Sequence, residues 1–558
     1  MASATRSLGK HWQRPLPPVI YGPKLPMWLA QRNNSPRLSN CPSEAAEHFS
    51  LHLDGIDMNT ENATSSSEFF AERERLWRAT YGLRMVAPHL SAHNGMTLRQ
   101  RKAVICAAAV VILGLALAPR VTGIICISAA TAVYTAVIAV RLLLIVNSIG
   151  HDPAPVEATA FLIPDDALPF ASVLVPAYKE PEILRELLGA LSELDYPADR
   201  LELLLVLEGD DDETIATARE ILADDTQGLS RCLRIIEVPP AEPRTKPKAL
   251  NYAVQLAQGD LITIYDAEDR PHPLQLRAAA YALATGGPDL ACVQAQLNYF
   301  NPEQNLLTKW FTLEYTMWFT QFLPGLVKLG APIPLGGTSN HFRREAIMAV
   351  GGWDPFNVTE DADLGLRFHR MGYHIGVIES VTLEEANSDA INWIKQRSRW
   401  YKGYLQTWLV NLRHPIRTTR ALGLRGFVLM NLFVGGTPLL ALLNPIFWFL
   451  CLLWFTLQPQ FVRDLFPAGV LYPAMACWVV GNFLYVYAFV LTAAKRDDVR
   501  LTKAAFAIPG YYVLMSFAAY KAFVQLIFAP TYWEKTQHGL DSATKAVIDL
   551  RDQVVTTP

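Results

Sequence analysis

The sequence predicts a membrane-embedded α/β protein: a soluble α/β domain with a mainly parallel sheet, inserted between apolar helices. Three observations predict it. The chain has 558 residues, too many for one ordinary domain, and is 51% hydrophobic and only 18% charged, apolar for a soluble protein. Long apolar runs stand on both sides of its middle third. Between those runs, from Leu168 to about Val410, short apolar segments alternate with amphipathic ones. The formal net charge of -3 says little about partners, because opposite local excesses cancel within it; no nucleic-acid partner is expected. Seven scattered cysteines without a CxxC pair fit reduced or lipid-buried thiols and support neither a disulfide framework nor a zinc site.

Residues 1–66, rich in Pro, Ser and Asn without periodicity, read as a disordered leader. No signal-peptide pattern is present. SSSEFFAERERLWRATYGLRMV, Ser65 to Val86, opens with serine caps and a helical pattern, and a cytoplasmic helical region is expected over 67–100, packed on another domain. Two transmembrane helices follow over 101–150: Ala103 to Pro119, then Val121 to Ile149. Each run is long enough, or nearly so, for the roughly 30 Å hydrocarbon core. Arg99, Arg101 and Lys102 place the N-terminus in the cytoplasm, and Arg141 is expected to snorkel from the end of the second run.

The soluble domain, 165–412, offers strands at Ala171–Ala177, Leu201–Glu208, Leu233–Pro239, Leu261–Asp269 and Leu290–Gln296. Helical stretches such as PEILRELLGALSEL and PKALNYAVQLAQ separate most of them, as in a parallel sheet covered on both faces. Ligands bind such sheets beyond the carboxyl ends of the strands. Glu208, Asp210 and Asp211 fall there, as do Asp266, Glu268 and Asp269. From Lys395 to Arg425 the chain holds eight Lys or Arg and no acid, a cytoplasmic face against anionic headgroups. Interfacial and transmembrane helices occupy 413–530, with two spans after the domain, six spans in all as the alternative, and 504–530 lying along the interface.

Hard oxygen ligands spaced as in YDAEDRP suit Mg²⁺ or Mn²⁺, which would leave positions for a diphosphate. A solvated turn would look the same. In RTKPKALNYA, three cations precede a helix and could meet that diphosphate. In TEDADLGLRFHRMGY, one carboxylate could cap the helix and another could act as a general base. Gln396, Arg399 and Trp400 share one helix face, the composition of a sugar-holding surface or of an interfacial anchor.

The succession VPAYKE, EGDDDET, TKPKALNYA, YDAED, GGTSNHFRR, TED and QRSRW, in that order over about Leu168 to Trp408, resembles the membrane-integrated family 2 glycosyltransferases. These include the processive cellulose, curdlan and hyaluronan synthases. The resemblance implies a GT-A (Rossmann-like) fold in a multi-pass protein of the inner (plasma) membrane with its catalytic domain cytoplasmic. It further implies inverting, metal-dependent polymerisation of a β-linked exopolysaccharide from a UDP-sugar, UDP-glucose first, with translocation. The alternative is non-processive transfer of a sugar to a lipid carrier or lipid-linked oligosaccharide. By the same resemblance Asp361 is the catalytic base, and Gln396, Arg399, Trp400 and Glu360 hold acceptor and diphosphate. Gly337, Thr338, Ser339 and Asn340 correspond to a loop beside the acceptor. Glu208 or Asp210, with Lys246, contacts the nucleotide. Asp266 with Glu268 or Asp269 holds Mg²⁺ or Mn²⁺. PTYWEKTQHG, at the start of the cytoplasmic tail 531–558, is similar in placement to the cellulose synthase gating loop and brings Lys535 to the nucleotide. Implied partners are the growing glycan, membrane lipid, and a second copy or export subunits. Only 18 residues follow Leu540, so no cyclic-di-GMP receptor domain is expected in this chain.

Overall fold

The computed structural model describes residues 63–534 apart from 151–152, 225–227, 229–230, 496–498 and 531. The expectations for residues 1–62, for Lys535 and for the tail beyond it lie outside the described residues. Seven strands form one sheet: β1 (Ala171–Ala177), β2 (Leu201–Glu208), β3 (Leu233–Val238), β4 (Leu261–Ile264), β5 (Leu290–Tyr299), β6 (Asn340–Arg343) and β7 (His374–Glu384). Their order is β3-β2-β1-β4-β6-β5-β7. All neighbours are parallel except that β6 runs antiparallel to both β4 and β5.

Five of these strands are the five apolar runs. β2 is buried along its whole length, which is why LELLLVLE shows no alternation. β4 ends at Ile264, earlier than expected, because the acids of YDAED turn away from the ladder. β6 and β7 were not expected. In β6, NHFR is buried throughout although three of its four side chains are polar. Arg343 escapes an unpaired burial by donating to the carbonyls of Leu283, Leu290 and Gly287.

The helix Ala63–Val86 packs on the domain, as the sequence suggested: Asn251 Nδ2 donates to Ala79 O at 3.0 Å and Gln255 Nε2 to Arg75 O at 3.1 Å. The loop after it is tied down by Arg413, which donates to the carbonyls of Ser91 and Gly95, each at 2.7 Å.

Among the described residues, five helices are long and apolar enough to cross a membrane: Leu98–Leu117, Pro119–Ser148, Pro415–Thr456, Ala468–Ala494 and Ile508–Phe528. The sequence led us to expect four, with the last lying along the interface. Gly423, at φ 69°, breaks the third of them into two pieces. Arg141 does not snorkel. Its guanidinium turns inward, onto the Tyr485 hydroxyl and Thr437 Oγ1, because polar partners on neighbouring helices stand closer than the helix end.

Candidate active site

The loops leaving β1, β2 and β4 open onto a cavity of about 580 Å³ beyond the carboxyl ends of the strands. Glu208, Lys246, Asp266, Glu268, Thr338, Glu360, Asp361, Gln396, Arg399 and Trp400 line it, so ten side chains spread over nearly 200 positions are brought together.

The helix Glu360–Arg370 presents the TED acids. It lies so close to the segment before the GGTSN loop that a Cβ on Gly365 would stand 2.0 Å from Ile333 O. Asp361 Oδ1 accepts a hydrogen bond from the Trp353 indole N–H at 2.8 Å. A Cβ on Gly337 would lie 3.9 Å from Asp361 Oδ2, which fixes the carboxylate beside that loop. Burial first, then the neighbouring Glu360, push the Asp361 carboxyl well above the usual range, while Lys246 and the Trp353 donor oppose the shift. Glu360 is raised too, by burial, with Lys246 again opposing. Asp363, the third acid of the cluster, is structural. It pairs with Arg367 at 2.7 Å one turn on, both buried.

Lys246 Nζ bonds Asp266 Oδ1 at 2.5 Å and Gly337 O at 2.6 Å. Burial alone would lower its pKa, but Asp266, Asp361 and Glu360 together raise it. Asp269 is not on the cavity wall. It is buried beneath the loop, where Oδ2 accepts from Asp266 N at 2.8 Å and from the Thr338 hydroxyl, and its carboxyl is pushed well up by burial. Its Oδ1 is buried without a hydrogen bond. Of the two candidates left open by the sequence, Glu268 therefore faces the cavity and Asp269 braces the turn. Among the described residues no group of three or more His, Cys, Asp or Glu closes into a metal centre. Asp266 and Glu268 nevertheless fit a hard divalent ion: both are oxygen donors on the wall, and an ammonium already sits on Asp266 where positive charge is favoured.

Glu208 is paired with Lys248 at 2.9 Å and Asp210 with Arg244. Lys248, one of the three cations of RTKPKALNYA, is fully buried and also bonded to Ala241 O at 2.8 Å, so it is spent on Glu208 and the backbone. Two lysines stand two apart in TKPK, and nothing local says which one turns inward. Asp211 is the N-cap of the helix Asp212–Ala223. Ser339 and Asn340 are not brought to the cavity: Ser339 donates to Thr382 at 2.6 Å, and Asn340 Nδ2 donates to Gly336 O at 2.7 Å.

QRSRW lies on the helix Ala390–Asn411. Arg397 makes a two-pronged pair with Glu314, at 2.9 and 2.5 Å, and Tyr511 donates to the same carboxylate at 2.6 Å. That turns Arg399 and Trp400 toward the acids. Arg399 has no carboxylate within ion-pair distance among the described residues, and its guanidinium lies 4.8 Å from the centre of the Trp533 ring. Trp533, in the segment likened to the gating loop, thus lines the cavity as well. Gln396 Oε1 is buried without a hydrogen bond.

Residues 261–491 match the sequence family described as "Glycosyl transferase family group 2". Over that stretch, about two fifths of the chain, the sequence is similar to the family 2 glycosyltransferases. It is 30% identical over 240 residues, 42% of this chain and 55% of the other, to "Probable glycosyltransferase YdaM" of Bacillus subtilis (strain 168). It is 28% identical over 286 residues, 50% of this chain and 58% of the other, to "Beta-monoglucosyldiacylglycerol synthase" of Synechocystis sp. (strain ATCC 27184 / PCC 6803 / Kazusa). The chain thus spans little more than half the length of these relatives. Among solved structures, the mannosyltransferase PcManGT from Pyrobaculum calidifontis, in complex with GDP-Man and Mn²⁺, aligns over 71% of this chain and 99% of that one at 19% identity and a TM-score of 0.43. The described residues form a mixed α/β core flanked by long apolar helices, as in a multi-pass membrane protein. The family match covers YDAED, TED and QRSRW, and stops short of β1 to β3.

Proposed function

We propose that this chain is an inverting, metal-dependent glycosyltransferase that moves a hexose from a UDP-sugar, glucose first, to a hydroxyl acceptor at the inner (plasma) membrane, with its α/β domain in the cytoplasm. The observation that carries the reading is the convergence of Lys246, Asp266, Glu268, Asp361, Arg399 and Trp400 on one cavity. In this reading Glu208 and Asp210 meet the nucleotide. Lys246 and Arg399 offset the diphosphate charge as it grows on the leaving group. Asp266 and Glu268 would hold Mg²⁺ or Mn²⁺, which when bound supplies Lewis acidity at the diphosphate. Asp361 accepts the proton of the acceptor hydroxyl. The acceptor oxygen bonds to the anomeric carbon from the face opposite the diphosphate, the carbon–oxygen bond to UDP breaks, and the configuration inverts. Trp400 and Gln396 hold the acceptor, the indole against an apolar face and the amide oxygen as an unused acceptor.

Two acceptors remain in play. A growing β-linked glycan, exported as it is made, is what the resemblance to processive synthases implies. A lipid hydroxyl is the second, favoured by the apolar lining of the space behind the acids and by the similarity to the Synechocystis beta-monoglucosyldiacylglycerol synthase. The test is UDP release from detergent-solubilised protein with a panel of UDP-sugars, with Mg²⁺ or Mn²⁺ and then with EDTA. Metal-dependent turnover of one donor supports the reading; no turnover with any donor and either acceptor class refutes it.

A further inference from the structure

Behind the acids, the active-site cavity meets a second chamber of about 570 Å³. It lies among the helices Pro119–Ser148, Gly436–Thr456, Ala468–Lys495 and Ile508–Phe528. That volume falls within the roughly 300–1,000 Å³ of ordinary ligand pockets. Its wall is dominated by side chains such as Trp448, Trp454, Phe455 and Trp478. The two spaces share Arg141, Tyr401, Thr437, Tyr485, Tyr512 and Met515, which stand at the boundary between them.

Arg141 is the one charged residue among the described residues lining the chamber. It makes no ion pair among the described residues, and its Nε is buried without an acceptor. Its other nitrogens reach only the hydroxyls of Tyr485 and Thr437. A cation in this position, among apolar helices and without a counter-charge, signals an absent oxygen-rich group. A polysaccharide filling the chamber would leave most of its hydroxyls without partners, at high cost in so apolar a space. Fatty-acyl chains would not.

From this boundary and chamber we infer the acceptor: a glycerolipid with a free headgroup hydroxyl, bound with its acyl chains in the chamber and its ester or phosphodiester oxygens at Arg141. The inference rests on the glycosyltransferase reading above and names the acceptor for it. The headgroup then extends past Tyr315 and Trp400, both on the wall of the active-site cavity, toward Asp361. Its hydroxyl oxygen bonds to the anomeric carbon, its proton passes to the Asp361 carboxylate, and the electron pair of the broken bond leaves with UDP. A base is required because a neutral hydroxyl still carries its proton at physiological pH, unlike a lipid phosphate.

The test uses the full chain in detergent micelles with radiolabelled UDP-glucose, or whichever donor turns over, and either dioleoylglycerol or dioleoylphosphatidylglycerol. The two lipids separate an acceptor whose oxygens near Arg141 are acyl esters alone from one that also carries a phosphodiester. Label should enter a chloroform-soluble product carrying a single sugar. Ala474 lines the chamber and not the active-site cavity, so Ala474→Trp should fill the chamber and lower kcat/KM for the lipid by about tenfold or more, with UDP affinity kept. Native mass spectrometry gives a second readout independent of turnover: the wild type should retain the added lipid, and the variant should lose it. Ala474→Leu serves the same purpose if the tryptophan variant does not fold. Label appearing in long water-soluble glycan, or lipid retention and transfer unchanged in the filled chamber, would overturn the inference while leaving the transferase reading intact. Absence of UDP release with every donor would instead refute the transferase reading, and lipid retention would still report on the chamber.

Discussion

Trp353 touches no substrate in the proposed reaction, yet its indole N–H is bonded to Asp361 Oδ1 at 2.8 Å in a setting where both side chains are buried. Replacing it with phenylalanine removes that donor and leaves a ring in place. Hydrogen bonds to charged groups contribute about 1.5–3 kcal/mol, and the ionised carboxylate loses that support while the neutral acid loses much less. At 1.36 kcal/mol per unit, the Asp361 pKa should climb by about 1–2 units from a value already raised by burial. Asp361 accepts a proton only when ionised, so activity is present above its folded pKa and lost as the pH falls through it. Trp353→Phe should therefore move the acid limb of kcat/KM upward. Rates below the limb should fall by about 10- to 100-fold and recover at high pH. The assay is UDP release across about pH 5 to 9, the interval that brackets a strongly raised carboxyl. A loss equal at every pH would show that the indole merely fills space beside Phe342, and an unmoved limb would show that Asp361 is not the base.

Three other substitutions probe the same framework. Asp361→Asn should lower transfer by about 10²- to 10⁴-fold, with UDP binding by calorimetry unchanged; near-normal turnover would remove Asp361 from its role. Glu314→Gln leaves the buried Arg397 without its counter-charge and should cost about 3 kcal/mol, the lower end for such pairs because Glu314 stays 22% exposed, read as a lower apparent Tm by scanning fluorimetry. Gly365→Ala drives a methyl to 2.0 Å from a backbone oxygen and should destabilise by about 3 kcal/mol or more, or prevent expression, whereas a neutral outcome would mean that the helix bearing Asp361 can slide.

Much of this molecule was legible in its sequence because the signals were local. β1 and β2 are continuous apolar runs, and both appear within the expected residues. TED and QRSRW could be singled out because acids, arginines and an indole stand at short spacings. β6 could not, since NHFR has four residues and its polarity is balanced by carbonyls far away in the chain. The bond from Trp353 to Asp361 spans a loop with no helical or strand period to announce it. The inward turn of Arg141 depends on Tyr485, 344 residues away, which no local pattern can reveal. The same holds for the chamber, whose wall is assembled from four helices on both sides of the soluble domain.

The helix Ala390–Asn411 is engaged on several sides at once. Arg399 faces the cavity, Arg397 grips Glu314, Lys402 and Gln406 donate to backbone carbonyls of Tyr532 and Pro530, and Trp408 donates to Asn431 at 2.8 Å. A rod held from so many directions cannot roll to accommodate a change on one of its faces. Divergence at these positions is accordingly expected to come in matched pairs, Glu314 with Arg397 or Asn431 with Trp408. A chimera that exchanges this helix without the segments it touches should assemble poorly even where each half folds well in its own parent.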